Sequence, residues 1–227
     1  MPFPDLPSRL RDVRDRIDAA AARGGHGQAV TVVAVTKTHG PDAIQAAWDA
    51  GLRDVGENRI QEALPKMDAI GIAVRWHLIG HLQRNKVKSL ARFDVLQSLD
   101  SARLADAVNE FGVESGRVIE AFAQVNVVGE ETKGGFDRAD WASEAERLVG
   151  LKGVRVRGVM TMAPIDADEA TLRTVFAGAR AARDVFTAAG HPATELSMGM
   201  SSDYEVAVEE GATVVRLGTI LFGARPA

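Results

Sequence analysis

The chain has 227 residues, 46% of them hydrophobic, with 27 basic and 31 acidic side chains and a formal net charge of −4. That length supports a full core in one domain, and the mixed charge argues against a polyanion-binding surface and so against nucleic acid as a partner. The lack of cysteine excludes disulfides, thiolate metal sites and cysteine nucleophiles; with neither a leader-like start nor a bilayer-length apolar stretch, the expectation is a soluble cytoplasmic protein without membrane contact.

An amphipathic helix opens the chain, with Leu6, Leu10, Val13 and Ile17 on one stripe. Next comes Thr31-Val32-Val33-Ala34-Val35-Thr36-Lys37, a buried strand that empties onto a turn at His39-Gly40-Pro41. Alternate side chains in a strand share a face, so Val33, Val35 and Lys37 point the same way. Low-dielectric walls favour the neutral amine that carbonyl condensation requires, which makes Lys37 a Schiff-base candidate; the plain alternative is a strand-end lysine whose stem covers apolar surface.

The apolar run of that segment spans Thr31 to Val35, and seven further runs follow, at Asp54 to Gly56, Arg75 to Ile79, Phe93 to Gln97, Ala121 to Val127, Val154 to Thr161, Thr194 to Met198 and Thr213 to Gly218. Helical patterns lie between them, among them Asp42 to Ala50 closed by Gly51, Ala102 to Phe111 closed by Gly112, Leu172 to Ala189 closed by Gly190 and Tyr204 to Glu210 closed by Gly211. Asn58 follows the second run, as a polar group at the mouth or as a helix cap. His77 and His81 straddle the end of the third, where strand geometry with Gly80 between them argues against a shared metal, and no metal is expected. Arg84, Lys86 and Lys88 form a basic rim, and Lys133 sits in the glycine-rich loop after the fifth run; solvated surface charge is the plain reading of all four.

Eight consecutive strand-helix units predict a single (β/α)8 TIM barrel over residues 1–227 with an extra N-terminal helix, and place function at the C-terminal ends of the strands. There, Ser197-Met198-Gly199-Met200-Ser201-Ser202-Asp203 leads into a helix and Arg216-Leu217-Gly218-Thr219 ends the last strand. Glycines, hydroxyls and amides at a helix start bind an anion, most naturally phosphate, although a serine cap alone is commoner. Arg216 shares a face with Val214 and Gly218 and needs an acceptor, from a ligand or from a barrel salt bridge. An aldehyde for Lys37, a phosphate for the turns of Ser201 and Thr219 and a ring nitrogen for Arg216 are combined in pyridoxal 5′-phosphate.

The chain resembles the pyridoxal phosphate homeostasis proteins, or PLP-binding proteins, which have the fold of the alanine racemase N-terminal barrel. The likeness rests on Val33-Ala34-Val35-Thr36-Lys37, Gly56-Glu57-Asn58, the stretch from Trp76 to Lys86, Gly158-Val159-Met160-Thr161-Met162, the stretch from Ser197 to Asp203 and that from Val215 to Gly223, and runs on to Ala224-Arg225. Two positions depart from the usual pattern, Thr36 where serine is common and Arg84 where a smaller polar residue is common. The resemblance implies a Schiff base on Lys37, phosphate held by Ser201, Gly218 and Thr219 with the Met200 backbone nearby, and Arg216 facing the pyridine nitrogen; Asn58, read at the mouth from its place after the second run, joins them as a cofactor-binding candidate. It implies a carrier that buffers PLP within the cell rather than an enzyme, with PLP-dependent apo-enzymes as the expected recipients of the cofactor. A minimal amino-acid racemase is the alternative, and a cofactor-free enzyme acting on a phosphorylated metabolite through Lys37 a third class. A monomer is expected, since little besides a barrel and one leading helix is present.

Overall fold

The computed structural model describes residues 2–129 and 134–223. Among them nine parallel strands form the sheet: β1 (Thr31–Val35), β2 (Asp54–Glu57), β3 (Arg75–Leu78), β4 (Val95–Leu99), β5 (Ile119–Asn126), β6 (Phe136–Asp137), β7 (Val154–Met160), β8 (Glu195–Ser197) and β9 (Val214–Leu217). All but β6 close into a barrel in the order β4, β3, β2, β1, β9, β8, β7, β5, with β5 pairing back to β4; β6 adds only a short pairing to β5. Around it run α1 (Leu6–Gly24), α2 (Pro41–Asp49), α3 (Ile60–Ala69), α4 (Ala102–Glu114), α5 (Trp141–Val149), α6 (Glu169–Ala188), α7 (Tyr204–Glu209) and α8 (Thr219–Phe222). None of the described helices is long and apolar enough to cross a membrane.

Strands covered by helices outside and by the barrel lumen inside bury both faces, which is why they read as near-continuous apolar runs. Outward residues such as Ala34, Leu96, Leu196 and Val215 join the helices in one large core. Inward, Val33, Val95, Phe122, Met160 and Val214 make a separate apolar layer. Above and beside that layer the lumen is polar, holding His77, Gln97, Ser197 and Arg216, all buried. The leading helix buries the predicted stripe of Leu6, Leu10, Val13 and Ile17 together with Ala20, and packs on α7 and α8.

The strands follow the apolar runs to within two residues. The first strand spans the apolar run Thr31 to Val35, but Lys37, read as standing at its end, lies in the turn beyond it, bent by the hydrogen bond from the His39 amide to the Thr36 carbonyl. The fourth strand starts at Val95, because Arg84–Arg92 forms a 3-10 helix whose last turn draws in Phe93. Gly112 does not close its helix: α4 runs to Glu114 and is capped at Ser115. Gly112 instead lets the helix touch the loop before β7, where an added Cβ would lie 2.1 Å from the Gly153 carbonyl oxygen.

That contact reverses an ordinary rule. Alanine replacing glycine inside a helix normally stabilises by about 1 kcal/mol. Here Gly112→Ala is expected to lose about 1–3 kcal/mol through overpacking, measured by urea unfolding, whereas Gly71→Ala, with open space at its Cβ, should leave the midpoint unchanged.

Candidate functional site

The seven residues singled out from the sequence converge. Lys37, Asn58, Met200, Ser201, Arg216, Gly218 and Thr219 all line one cavity of about 550 Å3 at the C-terminal end of the barrel, with Val35, Ile79, Met162 and Ser202 completing the wall. Val35 and Lys37 thus do share a side, even though the strand has ended between them.

The turn that carries Lys37 is anchored from below by a buried cluster that the sequence reading did not find. Glu57, at the end of β2, is fully buried. Its Oε1 accepts from Thr36 Oγ1 at 2.5 Å and from Lys66 Nζ at 2.7 Å, and Lys66, on α3, also donates to the Thr36 carbonyl at 2.9 Å. Burial pushes the Glu57 carboxyl up from the ordinary range, against the pull of Lys66 and Thr36. Thr38, the residue after Lys37, has φ of 69°, a left-handed conformation that a β-branched side chain adopts only under constraint.

On the opposite wall the turns after β8 and β9 are tied together. Ser201 Oγ accepts from the Ile220 amide at 3.3 Å, and the Arg216 amide donates to the Gly199 carbonyl at 3.0 Å. Gly199 takes φ of 92°, and an added Cβ would lie 2.7 Å from that of Ala207, so only glycine lets the loop fold against α7. The Met200 amide donates to Asp203 Oδ1 at 2.5 Å, which commits that N–H to the loop rather than to a ligand. Burial raises the Asp203 carboxyl, opposed by the Met200 amide and by Arg216.

Arg216 is buried, and burial brings its guanidinium down to about 10, with Asp203 acting the other way. It forms no barrel salt bridge among the described residues. Instead Nη1 donates to the carbonyl and hydroxyl oxygens of Ser197, both at 2.8 Å, and Nη2 to the Thr161 carbonyl at 2.9 Å. Of five guanidinium protons, three are consumed by these bonds, leaving two on a residue that lines the cavity.

Other expected residues lie elsewhere. Asn58 is not the cap of α3, whose N-cap is Arg59; it borders both the cavity and a neighbouring hollow lined also by Arg59, His81 and Lys86. Arg84 and Lys88 lie apart from Lys86, in a recess shared with Glu110 and Glu114. His77 Nε2 lies 2.9 Å from Asp54 Oδ1 and His81 Nδ1 lies 2.7 Å from Asp100 Oδ2, and no group of metal-ligating side chains occurs among the described residues. Lys133 falls outside the described residues.

A cavity holding an amine, a guanidinium and two glycine-hydroxyl turns fits an aldehyde that also bears a phosphate and a ring nitrogen. The chain matches the family model described as alanine racemase, N-terminal domain, over residues 9–226. It is 40% identical over 221 residues to the pyridoxal phosphate homeostasis protein of Aquifex aeolicus, covering 96% of this chain and 97% of that protein. To the protein of the same name from Escherichia coli it is 37% identical over 231 residues, with 97% of each covered. The structure of PipY from Synechococcus elongatus with PLP bound superposes with a TM-score of 0.85 at 38% identity, over 96% of this chain and 100% of that one. Alanine racemase of Corynebacterium glutamicum shares the fold, with a TM-score of 0.78 at 17% identity over 100% of this chain and 63% of that one.

The buried pair beneath Lys37 has a pH signature. Lys66→Met leaves Glu57 without its counter-ion, a loss of about 3 kcal/mol or more at neutral pH. A carboxyl whose folded-state pKa is raised costs nothing at pH below its unfolded-state pKa, and the cost grows as pH climbs from that value to the folded-state one. The penalty of Lys66→Met is therefore expected to shrink towards pH 4 and grow above it, measured as urea midpoints of variant and parent across that range.

Proposed function

The chain belongs to the pyridoxal phosphate homeostasis protein family, built on the barrel of the alanine racemase N-terminal domain, and we propose that it binds pyridoxal 5′-phosphate reversibly on Lys37, buffering the free cofactor within the cell. The observation that carries this reading is the convergence of Lys37, Arg216 and the Ser201 and Thr219 turns on a single cavity. The PLP-bound PipY structure supports it.

When bound, the cofactor supplies an aldehyde carbon that condenses with a primary amine by loss of water, a phosphate and a pyridine ring. Lys37 contributes the amine and is aimed by the anchored turn. Ser201, Gly218 and Thr219 would hold the phosphate from two loops that hold each other, with Asn58 at the mouth. Arg216 would hold the ring nitrogen, donating a hydrogen bond to its lone pair. Charged at neutral pH even at a pKa of about 10, it would keep that nitrogen unprotonated and so weaken the ring as an electron sink. That setting favours holding the cofactor over carbanion chemistry. A cytoplasmic monomer that hands the cofactor to apo-enzymes belongs to the same reading.

Purified protein is expected to show a visible chromophore that borohydride bleaches, with the added mass on the peptide containing Lys37, and Lys37→Ala should stay colourless. Transfer to a PLP-dependent apo-enzyme, scored by recovery of that enzyme's activity, checks the carrier role. Lys37-dependent turnover at enzyme-like rates, read by chiral product analysis, would replace the carrier with a minimal racemase. Colourless protein that resists reconstitution would sink both and favour an enzyme of phosphorylated metabolites.

A further inference from the structure

We propose that Ser197, Gln97, His77 and Asp54 form a one-way hydrogen-bond chain through the barrel lumen that fixes the orientation of Arg216, making them positioning residues for the group that meets the cofactor's ring nitrogen. The inference rests on the cofactor reading above. Its links are all short. Arg216 Nη1 donates to Ser197 Oγ at 2.8 Å, and Ser197 Oγ donates to Gln97 Oε1 at 2.6 Å. Gln97 Nε2 lies 2.9 Å from His77 Nδ1, and His77 Nε2 lies 2.9 Å from Asp54 Oδ1.

The direction of every link follows from the first. A guanidinium only donates, so Ser197 Oγ accepts from it and must send its own proton onward to Gln97 Oε1. The amide nitrogen of Gln97 then faces His77 as a donor, which leaves Nδ1 bare and places the imidazole proton on Nε2, directed at the Asp54 carboxylate. Turning the Gln97 amide over would set its NH2 against a hydroxyl oxygen already receiving Arg216 and strip the hydroxyl proton of its acceptor. One polarity therefore satisfies the whole chain.

Placement supports a role beyond filling the lumen. The five residues come from β9, β8, β4, β3 and β2, and the Ser197–Gln97 link joins strands that are not neighbours in the ring, so it crosses the lumen. The first four are buried, and the chain meets water at Asp54, whose side chain is 18% exposed. By holding Ser197 Oγ as an acceptor, the chain consumes both Nη1 protons of Arg216 together with the Ser197 carbonyl. The guanidinium cannot swing without breaking the series.

Nitrogen-15 NMR of the cofactor-free parent tests the polarity without relying on cofactor binding. The expected result is a neutral His77 with its proton on Nε2, whereas a proton on Nδ1 would overturn the chain as drawn. In cofactor-loaded protein, Gln97→Leu is expected to scramble the His77 tautomer, shift the chromophore maximum and the cofactor's ring-nitrogen resonance, and weaken cofactor binding about tenfold. Gln97→Glu keeps an acceptor for Ser197, so it should restore the chromophore of the parent while making His77 doubly protonated. A folded Gln97→Leu protein with unchanged chromophore, ring-nitrogen resonance and affinity would reduce the chain to packing. Should the parent bind no cofactor at all, the functional reading falls, while the tautomer result still decides the chain's polarity.

Discussion

A guanidinium taken out of water must recover its hydration from fixed acceptors. Arg216 recovers it from two carbonyls and a hydroxyl. A contacting carboxylate would have neutralised the charge locally and left little reason for the guanidinium to meet a ligand. Neutral acceptors leave the positive charge whole, and the remaining protons belong to a residue on the cavity wall. The polar interior of the barrel follows from that choice, since a hydroxyl that accepts from arginine needs an acceptor of its own, and so does each donor after it.

The second buried cation is handled differently. Lys66 is paired directly with Glu57, and both hold Thr36. Replacing such a pair by apolar residues often costs little stability, so its retention is better explained by what it orders than by what it contributes. What it orders is the turn bearing Lys37, in which Thr38 is held at a positive φ. A reactive amine on an unanchored turn would sample many positions; one above a buried ion pair and a strained residue has few.

Much of this was legible in the chain and some was not, for identifiable reasons. Strands buried on both faces leave uninterrupted apolar runs, and these located all eight barrel strands to within two residues. Glycine was ambiguous: Gly51, Gly190 and Gly211 do take positive φ just past their helices, but Gly112 is a packing glycine inside one. The 3-10 helix before β4 displaced the start of that strand. The convergence of the seven candidate residues on one cavity was readable because barrel topology sends the ends of strands to one mouth. Ser197 and Gln97 are a hundred residues apart in sequence, and nothing in the spacing of a serine and a glutamine within two strands announces that they meet across a lumen. Nor does one lysine on α3 announce that it folds back under the turn bearing Lys37 to pair with Glu57.

The leading helix lies outside the eightfold repeat, yet it reaches the site through packing. The loop that carries Ser201 runs into α7, which has six residues and is too short to hold its shape alone. Arg16 and Arg23 on α1 pair with Glu205 and Glu209, while Arg173 and Arg180 on α6 pair with Glu209 and Glu210. Exposed ion pairs contribute little singly, but a network sharing carboxylates restrains the helix from two sides. The Arg16 guanidinium also sits over the ring of Tyr204, 5.6 Å from its centroid. One wall of the cavity is thus set by an ion pair within the repeat, and the other by a helix that precedes it.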